Sequence, residues 1–331
     1  MRPKTSLAAF ALLIALLVAV PPTAAQPIRL KLGSSLSPPT LDLITPYLAR
    51  DRGIFKTHGL DAEIVEFRGD AIHMKALLAG ELDVSAVQGP TIAMVTASKG
   101  TKTKTILVSH PLTPYTFVAR AEAAKSFQDL VGKSIAVSGI GAISYHIPRL
   151  ILDRAGVDPE KVKYVALGSP ADRFKALLAN KIDATLITTA EAAKLDRYPQ
   201  LAVLADVTKA LPEMPYAVSV TTEAYIGKNP EALNKLVRAY LEANRFIRAN
   251  KQGTVEIAAK VLKGETPELL AKAYDLINPK MWGLNGDLDK TTYQYVAEVL
   301  MKIGYLANPV PYEKFFDWRF VERALKEIGR L

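Results

Sequence analysis

The sequence predicts an α/β fold in two lobes, with a mostly parallel sheet in each lobe, two crossover strands and a helical C-terminal part. Three observations lead there. Residues 75–83, Lys75-Ala76-Leu77-Leu78-Ala79-Gly80-Glu81-Leu82-Asp83, recur one hundred positions later as Lys175-Ala176-Leu177-Leu178-Ala179-Asn180-Lys181-Ile182-Asp183. Each copy reads as the end of an amphipathic helix, a Gly or Asn suited to a left-handed cap, and an Asp that opens an apolar strand. Strand-like and helix-like stretches alternate through both copies, the pattern of parallel strands covered by helices. From Pro230 onward the spacing becomes helical almost throughout, with Leu233, Leu236, Val237, Tyr240 and Leu241 on one face.

The elements follow in order. Ile28–Leu32 alternates apolar and basic residues and reads as a strand, followed by the turn-rich loop Gly33–Thr40. A helix over Leu41–Arg50 ends at Gly53, a turn covers Phe55–Gly59, and Asp61–Phe67 is a strand. Helix 74–79, strand 84–87, helix 91–98 and strand 105–109 complete the first part of lobe one, residues 26–113. Strand 115–120 crosses into lobe two, residues 114–216. A short helix at 126–131 leads into strand 134–138, helix 144–155, strand 162–167, helix 171–179 and strands 184–187 and 201–206. Pro212–Pro215 is a linker, and strand 216–221 returns to lobe one, which residues 217–331 complete with C-terminal helices. Pro230 suits a first helical turn.

Residues 1–25 read as a secretory signal peptide: Arg2 and Lys4, an unbroken apolar run of 14 residues from Leu7 to Val20, then Thr23-Ala24-Ala25 before Gln26. The run is shorter than the roughly 20 residues of a membrane span. An exported protein follows. The chain contains no cysteine, which excludes disulfides and a lipid anchor and points to the free periplasm. Removing Arg2 and Lys4 lowers the formal charge from +9 to +7, but the basic residues are scattered. The densest run, Lys99–Lys104, reads as a solvated turn and strand edge, and no nucleic-acid partner is expected.

Binding residues are expected at the C-terminal ends of the strands, where open α/β sheets present their crevice. Ser138-Gly139-Ile140-Gly141-Ala142-Ile143-Ser144 follows a strand and opens a helix, so its free N–H groups suit an anion. The expectation is that Ser138, Gly139, Gly141 and Ser144 hold a ligand's acidic group. It is not a dinucleotide fingerprint, because the next strand ends Ala166-Leu167-Gly168 without an acidic residue. Gln88-Gly89 and Thr188-Thr189 follow the strands of the two repeats, with capping by Thr91 and Thr189 as the plainer reading. The loop Ser34–Ser37 offers a further face. Tyr115 and Tyr216 sit at the two crossovers, where an aromatic can stack on a ligand or pack the hinge. Arg173 opens the second repeat's helix and can reach a carboxylate, or form a surface salt bridge. Glu191 is either an acid near the cleft or a solvated helix residue. The histidines at 58, 73, 110 and 146 have no metal-ligand spacing, so no metal, cofactor or catalytic residue is expected.

Several segments carry a resemblance: Leu48-Ala49-Arg50-Asp51-Arg52-Gly53-Ile54-Phe55 with Gly59-Leu60, the two copies at 76–83 and 176–183, Asp129-Leu130-Val131-Gly132-Lys133-Ser134-Ile135-Ala136-Val137-Ser138, and Ala155-Gly156-Val157-Asp158-Pro159. The chain resembles the periplasmic solute-binding proteins of ABC transporters, in the broad taurine/nitrate/sulfonate and thiamine-precursor-binding group. The resemblance implies the type II periplasmic-binding-protein fold. It also implies a monomer that closes over one small organic anion, a sulfonate or carboxylate, and delivers it to the transmembrane subunits of an ABC permease. It implies ligand contacts from Ser37 to Thr40, Pro39 included, from Gln88 and Gly89, from Ser138 to Ser144, and from Thr188 and Thr189. Many relatives have Glu-Pro or Pro-Pro where this chain has Thr188-Thr189-Ala190-Glu191, which argues against an acidic partner for a ligand amine. The Cys-rich motif of thiamine-precursor synthases on this fold is absent. The alternatives are a periplasmic enzyme on the same fold, such as a dehydratase of a cyclic carboxylic acid, and a ligand-loaded partner of a sensor. A buried carboxylate at the cleft centre would favour the enzyme.

Overall fold

The computed structural model describes residues 26–331; the signal peptide expected at residues 1–25 lies outside the described residues. Ten strands form two sheets. They are β1 (Ile28–Ser34), β2 (Leu60–Glu66), β3 (Val84–Gln88), β4 (Thr103–His110), β5 (Thr116–Arg120), β6 (Ser134–Val137), β7 (Lys163–Ala166), β8 (Ala184–Ile187), β9 (Leu201–Asp206) and β10 (Ala217–Thr222). One sheet has the order β2-β1-β3-β10-β4, the other β7-β6-β8-β5-β9. The two orders are the same motif, with β6, β7, β8 and β9 standing where β1, β2, β3 and β4 stand.

The sheets are parallel except for one strand each. β1 pairs in parallel with β2 and β3, and β6 with β7 and β8. β10 lies antiparallel between β3 and β4, and β5 antiparallel between β8 and β9. The reversed strand is in each case the one that enters from the other lobe. A chain leaving the end of β4 meets the second sheet from the cleft side, so β5 must run away from the cleft while its neighbours run toward it. The two connections lie against each other: Tyr216 N–H donates to His110 O at 2.8 Å and the Thr113 hydroxyl to Met214 O at 3.0 Å.

The repeat is a structural unit in both lobes. Helices Asp70–Leu78 and Pro170–Leu178 end at Gly80 (φ 77°) and Asn180 (φ 57°), both left-handed. The N–H groups of Glu81 and Lys181 bond back to Ala76 O and Ala176 O at 3.0 and 2.9 Å, which satisfies carbonyls the helix leaves free. The repeated aspartates do the same work. Asp83 accepts from Lys31 N–H of β1 at 2.7 Å, and Asp183 from Ser134 N–H of β6 at 2.8 Å. Each therefore pins the central parallel strand of its sheet.

Most element limits agree with the expected ones within a few residues. The region expected as a turn at 55–59 begins with a short helix, Ile54–Thr57, entered through Gly53 in the left-handed region. Helix Asp70–Leu78 starts four residues earlier than periodicity places it, because Gly69 and Asp70 open it at the cleft. Helix Pro230–Ala249 packs Leu236, Val237 and Tyr240 into the first lobe's core beside helix Arg319–Ile328. Helix Lys290–Lys302 behaves differently. Its Tyr293, Val296, Ala297 and Leu300 share one apolar cluster with Ile147, Leu150 and Ile151 of the second lobe. Lys302 pairs with Asp153 at 2.6 Å, so this helix ties the C-terminal part to lobe two. Among the described residues no helix is long and apolar enough to cross a membrane.

Candidate functional site

The strand ends of both lobes converge on one small cavity. The parallel strands β1, β2, β3, β6 and β7 contribute the residues after their C-terminal ends. The reversed strands β10 and β5 contribute Tyr216 and Tyr115, at their starts. This is where open α/β sheets bind ligands, because backbone groups beyond the last strand pairing are free to point outward.

The wall from lobe one is held by Asp70. This buried carboxylate accepts from Gly89 N–H at 2.8 Å and from the Gln88 side-chain amide at 3.2 Å. Gln88 accepts in turn from the Ser85 hydroxyl at 3.1 Å, beside the buried His73 ring. A Cβ on Gly89 would stand 2.7 Å from the Asp70 carboxylate, so the absence of a side chain permits this approach. Burial pushes the Asp70 carboxyl above the ordinary carboxylate range, against the lowering effect of the Gly89 and Ser35 hydrogen bonds.

The aromatic wall comes from both crossovers. Tyr115 and Tyr216 meet edge to face at 5.1 Å, and Tyr216 donates its hydroxyl to that of Tyr115 at 3.1 Å. Burial raises the pKa of both phenols, so both stay protonated. Among the described residues the Tyr115 hydroxyl donates to no acceptor, which leaves its proton for the cavity.

The wall from lobe two holds Arg173, 1% exposed. Its guanidinium donates to Gly168 O at 3.0 Å and more weakly to Leu186 O at 3.4 Å, and its Nε has no partner. No carboxylate lies within ion-pair distance among the described residues. A buried cation without a counter-charge is costly, and the cavity is the direction from which one can come. Arg68, at the mouth, is exposed and also forms no ion pair among the described residues.

Two hydrogen bonds join the lobes beside the cavity. The Thr91 hydroxyl donates to Gly141 O at 3.2 Å, and the Thr189 hydroxyl donates to Asp42. Asp42 is completely buried, its second oxygen is unpartnered, and desolvation pushes its pKa to about 7. Among the described residues no group of three or more His, Asp or Glu is placed to hold a metal.

Ser37, Gln88, Gly89, Tyr115, Ser138 and Tyr216 line the cavity. Pro39 and Thr40 do not; the chain turns away through a cis Ser37–Pro38 peptide. Ser144 stands behind the lining, accepting from Ser138 N–H at 2.8 Å and hydrogen-bonded to the Ser138 hydroxyl at 2.7 Å. Gly139 faces an outer groove, and Gly141 faces the Tyr305 hydroxyl rather than the cavity. Thr188 forms a capping box with Glu191, so both side chains serve the helix Thr189–Ala192. Thr189 is engaged by Asp42. The hydroxyls of Ser144, Thr188 and Thr189 are thus held by protein partners outside the cavity lining.

A family model described as NMT1/THI5 like matches residues 41–254. The chain belongs to the NMT1/THI5-like family. A protein of Brucella abortus (strain 2308), named a candidate binding protein, is 29% identical over 232 residues, covering 68% of this chain and 70% of that one. YtlA of Bacillus subtilis (strain 168), also named a candidate binding protein, is 21% identical, covering 85% and 86%. The fold is that of the periplasmic binding proteins. The alkanesulfonate-binding protein SsuA from Xanthomonas axonopodis pv. citri, bound to MOPS, superposes with a TM-score of 0.74 at 17% identity, covering 88% of this chain and 99% of that one. The desulfurization enzyme DSZB superposes with a TM-score of 0.64 at 13% identity, covering 91% and 99%.

In this NMT1/THI5-like chain the charged residues of the cavity are the ones hardest to read from sequence. Arg173 stands at the repeat position of His73, and both are buried, so the hundred-residue offset could have marked the position as inward-facing. Its surface salt bridge is not formed: the side chain points inward and donates to carbonyls instead. Asp70 supplies a buried carboxylate at the cleft that sequence reasoning did not find. Its signal was an Asp directly after Gly69 at a helix start, which resembles an ordinary cap. Asp42 left no signal, since its partner Thr189 is 147 positions away.

Proposed function

We propose that this protein binds a small organic anion, a sulfonate or carboxylate, between its lobes in the periplasm and hands it to an ABC permease. The observation that carries the reading is Arg173: a buried guanidinium on the cavity wall, with no carboxylate partner and an unpartnered Nε among the described residues. An anionic group there would gain charge-assisted hydrogen bonds, with the Tyr115 hydroxyl as a further donor. The relatives are named binding proteins, and sulfonate-binding proteins share this fold, which supports the reading. The test is calorimetric titration of the purified protein against a panel of alkane- and arenesulfonates and the matching carboxylates. Saturable binding of an anion, with neutral amide analogues inert, is the expected result. Equal binding of the neutral analogues would overturn it.

One observation favours a second reading, an enzyme on the same fold: Asp70 is a buried carboxylate in the cleft with a raised pKa. Its hydrogen bonds to Gly89 and Gln88 hold two strand ends together, which suits a structural tie better than a free base. Mass spectrometry of the ligand after prolonged incubation separates the two readings. Unchanged ligand supports binding, and turnover that disappears in Asp70→Asn supports the enzyme.

A further inference from the structure

The seam between the lobes holds an acid with no counter-charge. Asp42 lies in the short turn Leu41–Leu43 of lobe one, is fully buried, and does not line the cavity. Thr189 of lobe two donates its hydroxyl to one carboxylate oxygen, and the other oxygen has no partner among the described residues. The elements packed against the turn bring no cation to it. Helix Thr189–Ala192 brings the Glu191 carboxylate, a second negative charge, and runs into Ala193, which is buried in the apolar cluster of lobe one. Helix Pro267–Leu276 packs there through buried Leu270 and Ala273, while its Glu268, Lys272 and Asp275 are exposed. The charges of Asp42 and Arg173 are both felt at the hydroxyls of Tyr115 and Tyr216. The ion pairs along the seam, Lys194 with Glu265 at 2.7 Å and Lys272 with Asp196 at 3.0 Å, leave Asp42 out.

We propose that Asp42 takes up a proton when the lobes close, so that acid favours the closed form and a rise in pH favours the open one. A cavity walled by both lobes admits a ligand only when they part. Parting them removes Thr189 and Glu191 from Asp42 and lets water reach its carboxylate. With the lobes together, burial raises the Asp42 carboxyl from 3.8 to about 7 against the Thr189 hydrogen bond, and Glu191 adds to the rise. Parting returns it toward 3.8. Between those values the closed form holds a proton that the open form has released. The ratio of open to closed therefore rises with pH, by at most about tenfold per pH unit. The bond from the Thr91 hydroxyl to Gly141 O also joins the lobes, but it links a hydroxyl to a carbonyl and gives no such dependence. The inference is independent of which ligand the cavity takes.

The chain has no cysteine, so Ile72→Cys and Ile140→Cys together accept two nitroxides, on opposite lobes of the outer groove and at exposed positions. Dipolar broadening between the nitroxides, without added ligand, reports the ratio of open to closed protein. From pH 5 to pH 7 this ratio is expected to rise at least about tenfold. Asp42→Asn keeps the shape and the acceptor for Thr189 but has no proton to lose, and should hold the ratio within about twofold over the same range. Thr91→Val removes the other hydrogen bond and should shift the ratio equally at both pH values. A ratio independent of pH in the labelled parent would overturn the proposal. So would a pH dependence that persists in Asp42→Asn. Loss of the dependence in Thr91→Val as well would assign it to closure in general rather than to Asp42, and would overturn the proposal too.

Discussion

Replacing Arg173 by Met separates a binding role from a structural one, because the two predict opposite costs. Met keeps an unbranched stem of similar reach and removes the charge. In the structure the guanidinium makes two hydrogen bonds to carbonyls, at 3.0 and 3.4 Å, and no ion pair among the described residues. Losing them costs about 1 to 3 kcal/mol together, while removing a buried, unpaired cation returns a desolvation penalty of similar or larger size. The ligand-free variant is therefore expected to match the wild type within about 1 kcal/mol, or to exceed it. Binding behaves differently. A buried anion loses charge-assisted hydrogen bonds worth about 1.5 to 3 kcal/mol each, so two lost bonds weaken affinity roughly 150-fold or more. Urea denaturation without ligand and calorimetry with the best-binding sulfonate give the two numbers. An affinity within threefold of wild type would refute the assignment of the anion to Arg173. A loss of more than 3 kcal/mol in the ligand-free protein would show that the residue serves the fold.

The glycine loop gives a second prediction. Gly141 has φ of +86°, and a Cβ there would stand 1.5 Å from the Tyr305 hydroxyl. Gly141→Ala should lower stability by about 1 to 3 kcal/mol through both effects. Tyr305→Ala in the same chain should relieve the steric part, and a double-mutant cycle with no coupling would contradict this. The third concerns pH. Asp42 is raised from 3.8 to about 7 by burial, so between pH 4 and 7 the native state keeps a proton that the unfolded chain releases, and stability falls as pH rises through that window. Asp42→Asn should therefore gain on the wild type between pH 4 and pH 8, by at most roughly 4 kcal/mol at 1.36 kcal/mol per pKa unit; an equal difference at both pH values would count against it. The buried His73, His110 and His146 work in the opposite direction. Each is lowered from 6.5 to about 3, so their contribution is complete above pH 6.5 and is lost as pH falls. A denaturation series should show His110→Asn less sensitive to acid below pH 6 than the wild type.

Local chemistry was legible in the sequence. Gly80 and Asn180 end helices because one lacks a Cβ and the other tolerates a left-handed backbone, and both preferences act within a few residues. Asp83 and Asp183 recur because each sheet has an N–H on its central parallel strand that needs an acceptor, and the repeat displayed that need twice. The lobe plan and the strand ends that line the cleft followed from the same periodicity. The direction of β5 and β10 did not, since it is set by which side of a sheet the crossing chain meets. The charged residues of the site were equally hidden. Ser144, Thr188 and Thr189 carry the right groups for an anion, yet Ser138, Glu191 and Asp42 engage them first. Arg173 looks like any helix-surface arginine until the fold buries it without an ion pair among the described residues. Hydrogen-bond partners and burial depend on contacts between residues far apart in the chain, so tertiary structure alone decided which polar side chains remained free for a ligand.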